Sequence, residues 1–182
     1  TVLCDRADRA TIARTAQQIA PELGGAPDIL FNNAGLFVLG GIDTLSQDDF
    51  AASVGVNLIA PFAFVRAFLP KMRERGNGHI VTVGSITDRQ VFPGNAAYAA
   101  SKFGVRGMHE VMRAELRGTG VRATLVSPGP TDTPLWDSME MGSADLPPRA
   151  AMLSAEATAD AILYAVTRPE TVNVDELRLT RT

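Results

Sequence analysis

Three short apolar runs, each ending directly in a turn of small residues, constrain this chain more than any other feature. Residues 28–31 lead into Asn32-Asn33-Ala34-Gly35, residues 79–83 into Gly84-Ser85, and residues 121–126 into Ser127-Pro128-Gly129-Pro130. Helical segments separate them. One spans 46–75, with Ser46 as N-cap and Asp48 and Asp49 in the first turn, where the helix dipole favours acids. The other spans 96–117 and is closed by Gly118 and Gly120. Strands alternating with helices read as an α/β fold built on a mostly parallel sheet. In such sheets ligands bind beyond the carboxyl ends of the strands, so the three turns should meet at one crevice.

The rest of the chain extends the pattern. Residues 1–4 read as the tail of a strand, and residues 8–23 as an amphipathic helix ended by Gly24-Gly25. Pro61 should bend the 46–75 helix, because it lacks the amide donor. Residues 131–148 are irregular and hold Pro134, Pro147 and Pro148; a helix follows Ser154 over 157–167, and residues 172–179 give a last strand.

Composition narrows the function. With 182 residues, 46% of them hydrophobic, the chain can bury one sizeable core and reads as one domain over 1–182. A net charge of -3 without runs of like charge gives no basic stripe for nucleic acid. The single Cys4 allows no intramolecular disulfide, which fits a reducing, cytoplasmic setting, and it reads as a small buried residue rather than a nucleophile. No uninterrupted apolar stretch approaches the roughly 20 residues of a membrane helix; the most apolar one, 54–69, holds Asn57, Pro61 and Arg66. No membrane partner is therefore expected. His79 and His109 lie in a strand and a helix without a cluster of cysteines or carboxylates, so no metal site is expected.

The chemistry centres on Tyr98 and Lys102. Four residues apart on a helix, they share one face. A phenol is a poor proton-transfer group at neutral pH, but a neighbouring ammonium should lower its pKa. The pair could then give a proton to a carbonyl or take one from an alcohol. Ser85, at a strand end, either hydrogen-bonds a substrate oxygen or merely caps that strand. Asn57, inside an apolar helical stretch, either relays protons toward Lys102 through a water or backbone group, or locks the helix bend near Pro61. Asn32-Asn33-Ala34-Gly35 is either a ligand approach or an ordinary turn.

Taken together, Asn-Asn-Ala-Gly at 32–35, Asn57, Ser85, Tyr98-x-x-x-Lys102 and Pro128-Gly129 resemble, in order and spacing, the short-chain dehydrogenase/reductases. The resemblance covers nearly the whole chain. It implies a Rossmann-like, doubly wound parallel sheet in three α/β/α layers, and hydride transfer between NADP or NAD (NADP favoured from family habit) and a small carbonyl or alcohol. Tyr98 would be the acid/base, and Lys102 would tune it and hold the nicotinamide ribose. Ser85 would orient the substrate oxygen, and Asn57 would complete a relay. Asn33, Ala34 and Gly35 would pass the adenosine side of the cofactor, and Asp5, with Arg6 beside it, would contact adenine. Pro128, Gly129, Thr131 and Thr133 would line the nicotinamide.

In this family the segment after Pro128-Gly129 forms a lid, which places Trp136, Met139 and Met141 over the substrate. Leu36, Phe37, Val91 and Phe92 are expected on the other wall, which suits an apolar or aromatic carbonyl. The 46–75 and 96–117 helices would pair subunits into a dimer or tetramer.

The resemblance also implies an N-terminally incomplete domain. The family's first two strands and its glycine-rich phosphate turn have no counterpart here. Roughly 50 further N-terminal residues, about two strand–helix units, are expected in the physical protein. The alternatives are a truncated, non-catalytic chain that oligomerises or regulates, or an epimerase or dehydratase sharing the Tyr-x-x-x-Lys pair.

Overall fold

A computed structural model of the chain describes residues 2–5, 8–137 and 146–182. Four parallel strands form one sheet in sequence order: β1 (Ile29–Asn32), β2 (Gly78–Val83), β3 (Val121–Pro128) and β4 (Glu176–Leu179). The register pairs Phe31 with Val81, Val81 with Thr124, and Val126 with Leu177. β2 and β3 are the inner strands and are nearly continuous runs of buried residues, as a sheet covered on both faces requires.

The helices are α1 (Arg9–Ile19), α2 (Gln47–Val54), α3 (Ala60–Arg75), α4 (Ala96–Glu115) and α5 (Ala155–Val166). Their starts follow from local chemistry. Asp8, Ser46 and Ser154 accept hydrogen bonds from Ala10 N, Asp49 N and Ala157 N, satisfying amides that a helix start leaves open. One core joins Ala16 of α1, Phe68 and Met72 of α3, Met112 of α4 with Leu116 just past its end, and Ile80, Val121 and Ala123 of the sheet. α5 packs instead on β3 and β4. The result is the three-layered, doubly wound architecture expected from the alternation of elements. Where β3 begins, Gly120 runs against the turn after α3: a Cβ there would stand 1.9 Å from the Gly76 carbonyl oxygen.

Three expectations need correction. Residues 2–5 form no strand; strand geometry is held by ladder partners, and among the described residues none pairs with them. β1 is consequently an edge strand with Ile29 and Phe31 part-exposed, beside a groove that Val2 and Cys4 help to line. Second, the irregularity in the long helix is a π-turn at Gly55–Ile59, just before Pro61 rather than a simple bend at it. Pro61 has no N–H to give the Asn57 carbonyl, so the regular ladder cannot close there, and the helix widens. Third, the continuous segment Gln47–Arg75 is, by length and composition alone, long and apolar enough to cross a membrane. A third (33%) of its most apolar stretch is buried in the fold, and Val65, Phe68 and Met72 of the segment are core side chains. The ends of some elements also shift: α1 stops at Ile19 before a short 3-10 turn, and β4 begins at Glu176, not at 172.

Candidate active site

The carboxyl ends of β1, β2 and β3 open onto one cavity of about 800 Å³. Asn33, Ala34 and Gly35 line it from the turn after β1, Gly84 and Ser85 from the end of β2, Tyr98 and Lys102 from α4, and Pro128, Gly129, Thr131 and Thr133 from the turn after β3. The sheet thus gathers these sequence-selected residues because each follows a strand or faces one. The volume falls in the range of small-molecule and cofactor sites.

Tyr98 and Lys102 lie one turn apart on α4, and the Lys102 ammonium stands 5.4 Å from the centre of the Tyr98 ring. Lys102 is buried and donates to the Val83 carbonyl at 2.9 Å, which anchors it to the end of β2. Burial pushes its pKa down to about 8, while the charge of Asp88 opposes that fall. The phenol of Tyr98 runs against expectation. Burial pushes its pKa up to about 12, a hydrogen bond from Ser85 draws it back, and Asp88 adds to the rise. Desolvation of the phenolate therefore dominates the Tyr98 shift in this structure.

Of the two roles the sequence left open for Ser85, the structure shows the cap, on the turn after β2. Its hydroxyl accepts from Thr87 N at 3.2 Å, capping a short turn at Ile86–Asp88, and stands on the side of the Tyr98 phenol, whose pKa it draws down. Asn57 is buried within the π-turn. Its Oδ1 accepts from Leu36 N at 2.7 Å, and its Nδ2 donates to the Leu36 carbonyl at 2.8 Å and to Ser101 Oγ at 2.9 Å. Ser101 in turn donates to the Tyr98 carbonyl at 2.7 Å. Asn57 therefore ties the turn after β1 to the helix that carries Tyr98. Its side chain contacts Ser101, the neighbour of Lys102, and not Lys102 itself.

An aromatic wall flanks Tyr98. Phe37 meets the Tyr98 ring edge-on, with centroids 4.7 Å apart, and lies 5.2 Å from the Trp136 ring. Trp136 is fixed by its Nε1 donating to the Thr131 carbonyl at 2.8 Å. Phe37, Phe92 and Trp136 line the cavity as expected; Leu36 and Val91 do not, and Val91 is mostly exposed. Thr158, Ala159 and Ile162 of α5 also line it. Sequence reasoning missed these, because a helix following an irregular segment gives no sign of which face it turns to a distant cavity. It also missed Asp88, a fully buried carboxylate three residues past Ser85. A single acid in a loop carries no periodic signal.

Asp5 is exposed and lines neither this cavity nor the groove beside β1. Arg6, Met139 and Met141 lie outside the described residues. No cluster of histidines, cysteines and carboxylates that could hold a metal occurs among the described residues. Gly35, Gly84 and Gly129, at three strand ends, line the cavity together with Tyr98 and Lys102. These features fit the nicotinamide end of a dinucleotide.

The fold and this constellation define a class, and comparison with known proteins agrees. Residues 1–143 match the short chain dehydrogenase family, and the chain belongs to it. It is 32% identical over 179 residues to a sepiapterin reductase of Chlorobaculum tepidum, covering 98% of this chain and 71% of that protein. Among solved structures, it is 30% identical to a metagenomic short-chain oxidoreductase in complex with NADP, with a TM-score of 0.77, covering 98% of this chain and 73% of that one. It is 26% identical to a 4-hydroxyisoleucine dehydrogenase complexed with NADH, with a TM-score of 0.83, covering 98% and 78% respectively. The chain spans 63 to 71% of the length of the first curated relatives it matches.

Proposed function

We propose that this chain catalyses hydride transfer between NAD(P)H and a small carbonyl or alcohol compound. The observation that carries the reading is the meeting of Tyr98, Lys102 and Ser85 in one cavity at the strand ends. A bound nicotinamide supplies or accepts the hydride at the carbonyl carbon. In reduction, Tyr98 gives its proton to the carbonyl oxygen as that carbon gains the hydride; in oxidation it takes the alcohol proton. Ser85 holds the same oxygen and steadies the charge that develops on it. Lys102 supplies positive charge beside the phenol and would hold the nicotinamide ribose. Asn33, Ala34 and Gly35 accommodate the cofactor toward its adenosine side, and Pro128, Gly129, Thr131 and Thr133 the nicotinamide. Asn57 supports a proton path by holding the turn at Leu36 against α4.

Among the described residues lining the cavity, Lys102 is the sole charged one; the others are mainly apolar or aromatic. We infer an uncharged, apolar or aromatic carbonyl substrate. We favour NADP over NAD, with the NADP-bound relative in support. A cytoplasmic homodimer or homotetramer is the setting we infer, paired through α2–α3 and α4, which expose Phe62, Phe103 and Val111.

The test is oxidation of NADPH and of NADH by the full-length protein with a panel of aryl ketones, aliphatic ketones and keto acids. Cofactor oxidation coupled to reduction of the uncharged ketones is expected. Saturable cofactor binding with no net oxidation on any carbonyl would contradict the reading.

A further inference from the structure

The buried carboxylate of Asp88 has no part in the chemistry above, yet it is among the most tightly held groups beside it. It is fully buried at the end of the turn that follows Ser85. Ser127 Oγ, at the end of β3, donates to its Oδ2. Arg89 Nε donates to its Oδ1 at 2.8 Å, and Arg106 of α4 approaches the same oxygen at 3.9 Å. Both arginines also face Glu176 at the start of β4, Arg89 by a hydrogen bond and Arg106 at 3.8 Å. Gly84 makes room for the carboxylate: a Cβ there would stand 2.8 Å from Asp88 Oδ2. One anion thus joins the ends of β2 and β3 and, through two arginines, reaches β4 and α4. Arg106 lies one helical turn beyond Lys102 on the same face of α4.

A buried carboxylate is weak evidence for stability, because desolvation offsets much of what its partners return. Its placement between Ser85 and the Lys102-bearing helix points to another use. We propose that Asp88 is a positioning residue for the Tyr98–Lys102 pair, a fixed buried charge set between the Ser85 turn and the helix that carries both. The proposal rests on the dehydrogenase reading for its meaning in catalysis, though not for its physical content.

The sign follows from electrostatics. An anion disfavours loss of a proton from any neighbour, so Asp88 holds up the pKa of both Lys102 and Tyr98. For Lys102 this opposes burial, which acts the other way; for Tyr98 it adds to burial. Arg89 and Arg106 partly neutralise Asp88, and Glu176 partly neutralises them. Ser85 and Ser127, the other polar groups facing this network, carry no charge. Removing the Asp88 charge should lower both proton affinities together, and removing a cation from beside it should raise them.

The experiment compares Asp88→Asn and Arg89→Gln with the wild type in the full-length protein. Tyr98 ionisation is read by NMR of tyrosine labelled at Cζ, with the resonance assigned by its loss in Tyr98→Phe. Turnover is read as a pH profile with NADPH and an aryl ketone. Asp88→Asn should move the Tyr98 midpoint and the pH profile downward by about one unit, with the KM for cofactor little changed, and Arg89→Gln should move both upward. Midpoints equal to wild type in both variants would overturn the proposal. If Asp88→Asn fails to fold, the part-exposed Arg89→Gln decides alone: an upward shift supports the proposal and no shift overturns it. Absence of turnover in the wild type would defeat the dehydrogenase reading, while the NMR midpoints would still report on Asp88.

Discussion

Lys102 holds its ammonium 5.4 Å from the centre of the Tyr98 ring while donating to the Val83 carbonyl at 2.9 Å. The lysine is thereby pinned to the end of a strand, beside the Tyr98 ring. Replacing Tyr98 with Phe removes the proton carrier and leaves the cavity shape intact. Turnover should fall by about three orders of magnitude, in line with the loss of a general acid, while cofactor affinity changes little. Steady-state kinetics alongside a cofactor-binding titration measures both. Lys102→Met should lower turnover and cofactor affinity together, because that side chain serves both.

The parts of this site that were legible in the sequence are those fixed by strand ends and helical spacing. Tyr98 and Lys102 share a face because they are four apart, and Ser85 and Gly129 reach the cavity because each follows a strand. That the sheet is parallel was legible too, as were its strands apart from residues 1–4, which needed a neighbouring strand to be one. What could not be read was set by three-dimensional partners. The direction of the Tyr98 shift depends on how dry its surroundings are. The partners of Asn57 depend on the Leu36 backbone arriving from the turn after β1, and those of Asp88 on Ser127 and Arg106 arriving from elsewhere in the chain.

Asn57 joins Leu36 N and O to Ser101. Truncation to alanine leaves buried backbone groups without partners, so Asn57→Ala should destabilise the fold by about 2–4 kcal/mol. Chemical denaturation measures this. Because the same bonds set the Leu36 turn against α4, turnover should fall more than cofactor affinity. Unchanged stability would show that water replaces the side chain without loss.

His79 and His109 are buried, and burial pushes the pKa of each down to about 4. His79 Nε2 is paired with Thr124 Oγ1 at 2.7 Å, whereas both ring nitrogens of His109 lack a partner among the described residues. The unfolded chain binds protons near pH 6.5 that the folded chain refuses until about pH 4. Stability is therefore complete above about 6.5 and falls as pH drops through that window, by on the order of 3 kcal/mol for each histidine. Thermal melts between pH 7.5 and 4 should show this fall, and His109→Leu should make it shallower. An identical pH dependence in the variant would remove His109 from the account.

Phe37 bridges the Tyr98 and Trp136 rings. Phe37→Ala removes an edge contact worth about 0.5–1.5 kcal/mol and opens the aromatic wall. The KM for aryl ketones should rise several-fold more than that for small aliphatic ketones. An equal change for both classes would show that the wall does not contact the substrate.

The most direct test of hydride transfer uses NADPH carrying deuterium on one face of nicotinamide C4, offered with an aryl ketone to the full-length protein. With the correct face labelled, the alcohol product should carry deuterium at its carbinol carbon. With the other face labelled it should carry none, and Tyr98→Phe should form almost no product. An alcohol lacking deuterium from either labelled face, or a product formed without any net oxidation of the cofactor, would contradict the account.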